Sequence, residues 1–210
     1  MIEKGMTTNT QNATGHQLTS AELHKRQQEQ VTRILAPTVI VVGVTDPANI
    51  GSIFRICDAA KCKQLIFVDA TDINIRKIKR ISRSTSEIVP YQCISSDDLV
   101  NSPGKFPELV AIEITSKSTD VYATPLPQDV AFVIGGERYG IPEHILQLCA
   151  YAVHIPMFGI NSSMNVATSL GIVLYEWHRR FRTSQGGAFK NWVGVTTHET
   201  QNHPRLRSRT

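Results

Sequence analysis

"TVIVVGVTDPANIGSIFRICDAAKC", residues 38–62, changes character twice. Thr38 to Val44 is a continuous, β-branched run, as expected of a strand covered on both faces. A turn, "TDPANIGS", follows, and from Ile53 the apolar positions recur as in a helix. The same alternation continues outward. "QLIFVDA" (64–70) is a second buried strand, and "IRKIKRISRS" (75–84) a basic helix. "ELVAIEIT" (108–115) and "VAFVIGG" (130–136) are two more buried strands. "PEHILQLC" (142–149) is a short helix with Pro142 well placed at its start, and "YAVHIPM" (151–157) is a last strand. Strands alternating with helices throughout predict an α/β fold, a mainly parallel sheet with helices on both faces.

The flanks read differently. Residues 1–17 are polar and rich in Thr, Asn and Gln, the composition of a disordered leader. Residues 18–36 predict a helix capped by Thr19 or Ser20, with Glu22 in its first turn. Residues 37–183 form the main domain, and 184–210, ending in "HPRLRSRT", a flexible basic tail. The net charge of +4 and pI near 8.9 permit a polyanionic partner without requiring one. Cys57, Cys62, Cys93 and Cys149 form no C-x-x-C pair, so they read as reduced core thiols rather than a metal or redox site. No secretory signal or membrane span is visible, and a cytoplasmic, membrane-free protein is expected.

In an open parallel sheet, ligands bind beyond the carboxyl ends of the strands. Three loops there carry unusual residues. In "DPANIGSIFRICDAA" Asn49 and Gly51 shape the turn, and Arg55 sits among apolar Ile53, Phe54 and Ile56, positioned to meet an anion. A plain cap for Asn49 and a surface ion pair for Arg55 are the simpler alternatives. The stretch lacks G-x-G-x-x-G, which counts against a dinucleotide-dependent oxidoreductase. In "FVIGGERYGIP" the strand ends in Gly135-Gly136, which let a ligand or another backbone approach closely. Glu137 then either bonds a ligand or braces an arginine. In "INSSMNVATSLGIVLYEWHRR" (160–180) Ser162 or Ser163 can cap the following helix, yet the turn supplies four polar side chains where one cap suffices. The helix body, Val166 to Trp177, is apolar nearly all round and is expected to be buried.

Taken together, these loops resemble the SpoU family of RNA ribose 2′-O-methyltransferases, in the SPOUT superfamily. The family's Asn-x-Gly-x-x-x-Arg pattern matches Asn49, Gly51 and Arg55. Its strand ending in Gly-x-Glu-x-x-Gly matches Gly135 or Gly136, Glu137 and Gly140. Its Ile-Pro-Met followed by Ser-x-Asn matches Ile155, Pro156, Met157, Ser163, Met164 and Asn165. The resemblance spans about residues 37–182, with Met164 standing where leucine is usual.

It implies a deep C-terminal trefoil knot, a homodimer whose sites borrow from the partner, and S-adenosylmethionine as cofactor without a metal. Gly135, Gly136, Ile155, Met157 and Met164 would line the cofactor pocket. Arg55 would favour alkoxide character at the ribose 2′-oxygen, positioned with the help of Asn49, Glu137, Ser163 and Asn165. Arg76, Lys77, Lys79, Arg80 and Arg83, a solvated helix face on ordinary grounds, then become RNA phosphate contacts. A tRNA substrate is favoured over ribosomal RNA, because the part before the domain is one short helix and a polar leader. A knotted module that holds RNA without methylating it is the alternative.

Overall fold

The computed structural model describes residues 17–29, 36–70, 75–102 and 104–182. The expected leader, apart from Gln17, and the expected basic tail lie outside them. Contacts divide the chain into two units, Met1–Arg33 with Gly187–Thr210, and Ile34–Gly186. In the first, the described element is helix α1, Ser20–Glu29. Its start is the reciprocal pair expected from the sequence: the Glu22 N–H donates to Thr19 Oγ1 at 3.4 Å, and the Thr19 N–H donates to Glu22 Oε2 at 2.7 Å.

Besides a single 3-10 turn at Thr85–Glu87, the second unit holds seven strands and five α-helices among its described residues. In chain order these are β1 Thr38–Val42, α2 Pro47–Ala59, β2 Gln64–Val68, α3 Ile75–Ser82, β3 Tyr91–Ile94, α4 Ser96–Val100, β4 Glu108–Ile112, β5 Thr119–Asp120, β6 Val130–Gly135, α5 Glu143–Leu146, β7 Tyr151–His154 and α6 Val166–Arg182. The sheet order is β3-β2-β1-β6-β4-β7-β5, with parallel pairings. β1 and β6 are buried at every position because both faces are covered. Alternate side chains feed two cores. Val39, Val41, Phe132 and Ile134 pack with Phe54 of α2 and Leu170, Leu174 and Trp177 of α6. Ile40, Val42, Ala131 and Val133 pack on the other face with Leu99 of α4 and Ile145 of α5. Each fully buried Leu, Ile or Phe contributes about 1.5–3 kcal/mol.

Several local expectations change. Strands and helices do not alternate throughout, since β4 reaches β6 through β5 and turns, without a helix. α2 begins earlier than the turn reading implied: Asp46 caps it, accepting from the Ala48 N–H, with Pro47 at the first helical position. Asn49 is therefore inside the first turn and is not the cap. Gly51 is likewise helical, and a Cβ there would stand 2.5 Å from Ile81 Cγ2, so it admits α3 against α2. Cys57 and Cys62 are buried as expected, but Cys149 is half-buried and Cys93 is exposed on β3. α6 buries one side rather than its whole circumference: Ala167, Leu170, Val173, Leu174 and Trp177 point inward, and Thr168 and Tyr175 face out.

The far end of α6 is fixed by a buried charge. Glu176 accepts from Arg179 Nε at 2.7 Å and Arg180 Nε at 2.7 Å, and Arg180 also donates to the carbonyls of Val121 and Thr124. The Arg179 hydrogen bond outweighs the opposing effect of burial and, with Arg180, holds Glu176 at about 2, below its ordinary 4.5. A depressed folded-state value means the stabilisation is present above pH 4.5 and is lost as pH falls toward 2. Glu176→Gln is expected to cost roughly 2 kcal/mol at pH 7, lowering Tm by about 4–8 °C. In thermal melts the gap from the unmodified chain should close by pH 2. A gap that stays constant with pH would remove the carboxylate from this account.

Candidate active site

Register brings the carboxyl ends of four strands into line. Val42 of β1 lies beside Gly135 of β6, Ile134 beside Ile112 of β4, and Ile112 beside Val153 of β7. β1 and β6 are also where the chain order turns back on itself, the place at which open α/β sheets form a crevice. The loops leaving these ends are the three singled out in the sequence.

One hydrogen-bonded series joins all three. Asn49 Nδ2 donates to Glu137 Oε1, and Asn165 Nδ2 donates to Asn49 Oδ1 at 2.8 Å. Asn165 Oδ1 accepts from the N–H groups of Ala167 and Thr168, at 3.0 and 3.2 Å. The chemistry of the ends orients both amides. A carboxylate only accepts, so the Asn49 amino group faces Glu137 and its oxygen faces Asn165. The helix terminus only donates, so the Asn165 oxygen faces α6. Asn165, rather than Ser162 or Ser163, is thus the α6 cap, and the same side chain reaches the first loop. Here Glu137 braces an asparagine rather than an arginine.

Beside this series opens a cleft of about 340 Å³, within the range of small-molecule sites. Gly135, Gly136, Ile155, Met157 and Met164, the five residues expected at the cofactor, all line it, as do Glu137, Ser163 and Asn165. Part of its wall is bare backbone. A Cβ on Gly135 would stand 2.1 Å from the Gly140 carbonyl carbon, and one on Gly136 would stand 2.3 Å from Gly43 O. The glycines are therefore required by close approach of backbone to backbone. Apolar Ile112, Ile114, Ile134, Ile155 and Val166 face the cleft together with the polar rim. That combination fits a nucleoside-bearing cofactor, with an apolar slot for a base and polar groups at the edges.

Arg55 does not line this cleft. It is exposed on α2, two turns beyond Asp46, and among the described residues it makes no hydrogen bond or ion pair. The basic stretch is only partly described. Arg76 and Lys77 belong to α3, and their side chains lie outside the described residues. Lys79 is exposed and ion-paired with Glu87 at 2.6 Å, while Arg80 and Arg83 are exposed. Glu113 and His154 are among the cleft residues that were not anticipated. His154 Nδ1 lies 3.1 Å from Ser118 Oγ. The available signal was position alone: both are polar residues at the carboxyl end of a buried strand.

The chain is similar in sequence and fold to known proteins. The model of the SpoU rRNA Methylase family matches residues 36–175. A 23S rRNA (guanosine-2′-O-)-methyltransferase of Neisseria meningitidis is 28% identical over 75% of this chain and 64% of its own length. The tRNA (guanosine(18)-2′-O)-methyltransferase of Mus musculus is 23% identical over 79% of this chain but only 11% of its own. The chain thus spans less than two thirds of either relative. Among solved structures, an AdoMet-bound rRNA methyltransferase from Sinorhizobium meliloti superposes with TM-score 0.64 at 26% identity, covering 69% of this chain and 56% of that one.

Proposed function

Because this chain belongs to the SpoU rRNA methylase family, we propose that it transfers a methyl group from S-adenosylmethionine to a ribose 2′-hydroxyl of structured RNA. The observation that carries this reading is the Glu137–Asn49–Asn165 series closing three loops around a glycine-walled cleft. Bound there, S-adenosylmethionine supplies a methyl group on a positively charged sulfonium. The residues of the chain do the rest. Gly135 and Gly136 admit the cofactor against backbone, and Ile155, Met157 and Met164 give it an apolar wall. Asn49, Glu137 and Asn165 hold the three loops in one geometry, and Ser163 orients the ribose from the cleft edge. Arg55 stabilises negative charge as it develops on the 2′-oxygen. The 2′-oxygen would take the methyl group as the methyl–sulfur bond breaks, the sulfur leaving as a neutral thioether and the hydroxyl proton passing to solvent.

The active form in this proposal is a homodimer. Phe158 and Ile160 are almost fully exposed on the loop after Met157, and Tyr139 is 80% exposed at the tip of the Gly136–Gly140 turn. In this proposal a second copy covers this apolar rim, and each site borrows from its partner. The knot of the family fold is part of the same proposal. It rests on the family match, and the strand order, with β7 beside β4 and β5, accommodates it. Transfer RNA is the proposed substrate ahead of ribosomal RNA; the mouse relative is named for a tRNA activity and the Neisseria relative for one on 23S rRNA, so the choice rests on the sequence before the domain.

The test is incubation of the purified protein with methyl-tritiated S-adenosylmethionine and total RNA from cells lacking the gene. Label recovered from tRNA as a 2′-O-methyl nucleoside is the expected result. Label in ribosomal RNA would retain the reaction and overturn the substrate choice. No label in any fraction, from folded dimer, would overturn the enzyme reading in favour of an RNA-holding module. Binding should also depend steeply on salt. Arg80→Ala and Arg83→Ala are each expected to lower the slope of log K against log salt by about 1. An unchanged slope in fluorescence titrations would remove α3 from the RNA surface.

A further inference from the structure

Glu113 is the first residue after β4, and its backbone N–H still donates to Val153 O at 3.0 Å, so the sheet holds it in place. Its carboxylate is held too. Oε1 accepts from the Ile114 N–H at 3.0 Å, and Oε2 accepts from the Ile141 N–H at 3.1 Å. The glycine turn packs directly on it: a Cβ on Gly140 would stand 2.5 Å from Oε2. Two backbone amides occupy two of the roughly four acceptor positions of a carboxylate. One position on each oxygen remains.

Those positions matter because of where the group sits. Glu113 is half-buried, lines the 340 Å³ cleft, and shares it with Ile112, Ile114, Ile134 and Ile155. Among the described residues no Lys, Arg or His pairs with it. A charge held beside an apolar wall, with no cation, needs hydrogen-bond donors to complete its shell. The apolar wall takes a planar base, and the hydroxyls closest to a base are those of its ribose. A carboxylate also presents two acceptors side by side, which matches a vicinal diol.

We propose that Glu113 binds the ribose of the cofactor, its two free acceptor positions receiving the 2′- and 3′-hydroxyls. The inference rests on the cofactor reading above. It gives Glu113 two roles at once, anchoring the Gly136–Ile141 turn through one face and reading the sugar through the other.

Calorimetry on the full chain separates these roles. Three ligands are titrated into the unmodified protein and Glu113→Gln: S-adenosylhomocysteine, its 2′,3′-dideoxy analogue, and 5′-methylthioadenosine, which keeps the diol but lacks the amino-acid part. Glu113→Gln is expected to weaken the two diol-bearing ligands about 10- to 100-fold, the range for hydrogen bonds to a charged group. Glutamine keeps one acceptor oxygen of the two that hold Ile114 and Ile141, so affinity for the dideoxy analogue should fall clearly less than that for the diol-bearing pair. An equal loss for all three ligands would make Glu113 a brace for the turn and overturn the proposal. A loss for S-adenosylhomocysteine without one for methylthioadenosine would assign the carboxylate to the ammonium group, and also overturn it. If Glu113→Gln does not fold, the unmodified protein still decides: equal affinity with and without the diol refutes the proposal. Failure of the unmodified protein to bind any of the three would instead refute the cofactor reading itself, and this inference with it.

Discussion

Arg55→Ala is expected to lower the rate of methyl transfer by about 10²–10³-fold, the loss seen when one transition-state donor is removed, and to leave cofactor affinity unchanged. The separation follows from geometry. Arg55 stands exposed on α2 and does not line the cleft, so its removal takes nothing from the glycine wall or the isoleucine slot. Among the described residues no carboxylate holds it, so no partner is left unpaired. What is lost is a permanent cation whose planar donors meet an oxygen as it becomes anionic. Arg55→Lys keeps the charge without the fork and should recover only part of the rate. The measurement pairs single-turnover methylation with calorimetry on S-adenosylhomocysteine. Full turnover in Arg55→Ala would take the residue out of the mechanism. A parallel fall in cofactor affinity would make it a binding residue instead.

The sheet was legible because burial on both faces leaves a plain mark. Runs such as "TVIVV" and "VAFVI" have no polar member to hide them, and the structure buries β1 and β6 throughout. β3 escaped notice for the opposite reason. Tyr91–Ile94 is an edge strand whose first three residues are exposed, so it carries no apolar run. β5, two residues long, is too short for any periodicity to register. At the site, residue choice was easier to read than residue partnership. The excess of polar groups before α6 signalled that capping was not their whole task. The reason, that one asparagine caps the helix while bonding a residue 116 positions away, is a fact of tertiary approach. Asn49 was misplaced in a turn because Asp46-Pro47 reads equally as a turn or as a cap with its first helical residue. Glu113 was passed over inside an apolar strand pattern. A charged residue at the carboxyl end of a buried strand, between Ile112 and Ile114, is itself a signal of a ligand or a buried partner.

Gly135→Ala should have the largest effect on the cofactor. The added Cβ would stand 2.1 Å from the Gly140 carbonyl carbon, 2.3 Å from the Ile141 nitrogen and 2.5 Å from the Gly140 oxygen. All three are backbone atoms, so no side-chain rotation relieves the contact. The turn itself is closed by the Gly140 N–H donating to Gly136 O at 2.9 Å, and it is anchored by Ile141 on Glu113. To accept the methyl group the turn must move as a body. That movement takes Ile141 off Glu113, and it draws Glu137 away from Asn49, breaking the series that joins the three loops. Overpacking of this kind costs about 1–3 kcal/mol in stability. Affinity for S-adenosylhomocysteine should fall further, by about 100-fold or more, because several contacts of one preorganised wall are lost together. Gly43→Ala is the informative contrast. Gly43 has φ +67 and nothing within 4 Å of a Cβ, so its substitution strains the backbone by about 1 kcal/mol without filling the cleft wall. Melting and calorimetry should therefore rank the two variants in different orders: similar losses of Tm, but a collapse of binding only for Gly135→Ala. Normal binding by Gly135→Ala would mean that the turn yields without cost, and that the cofactor is not held by this wall.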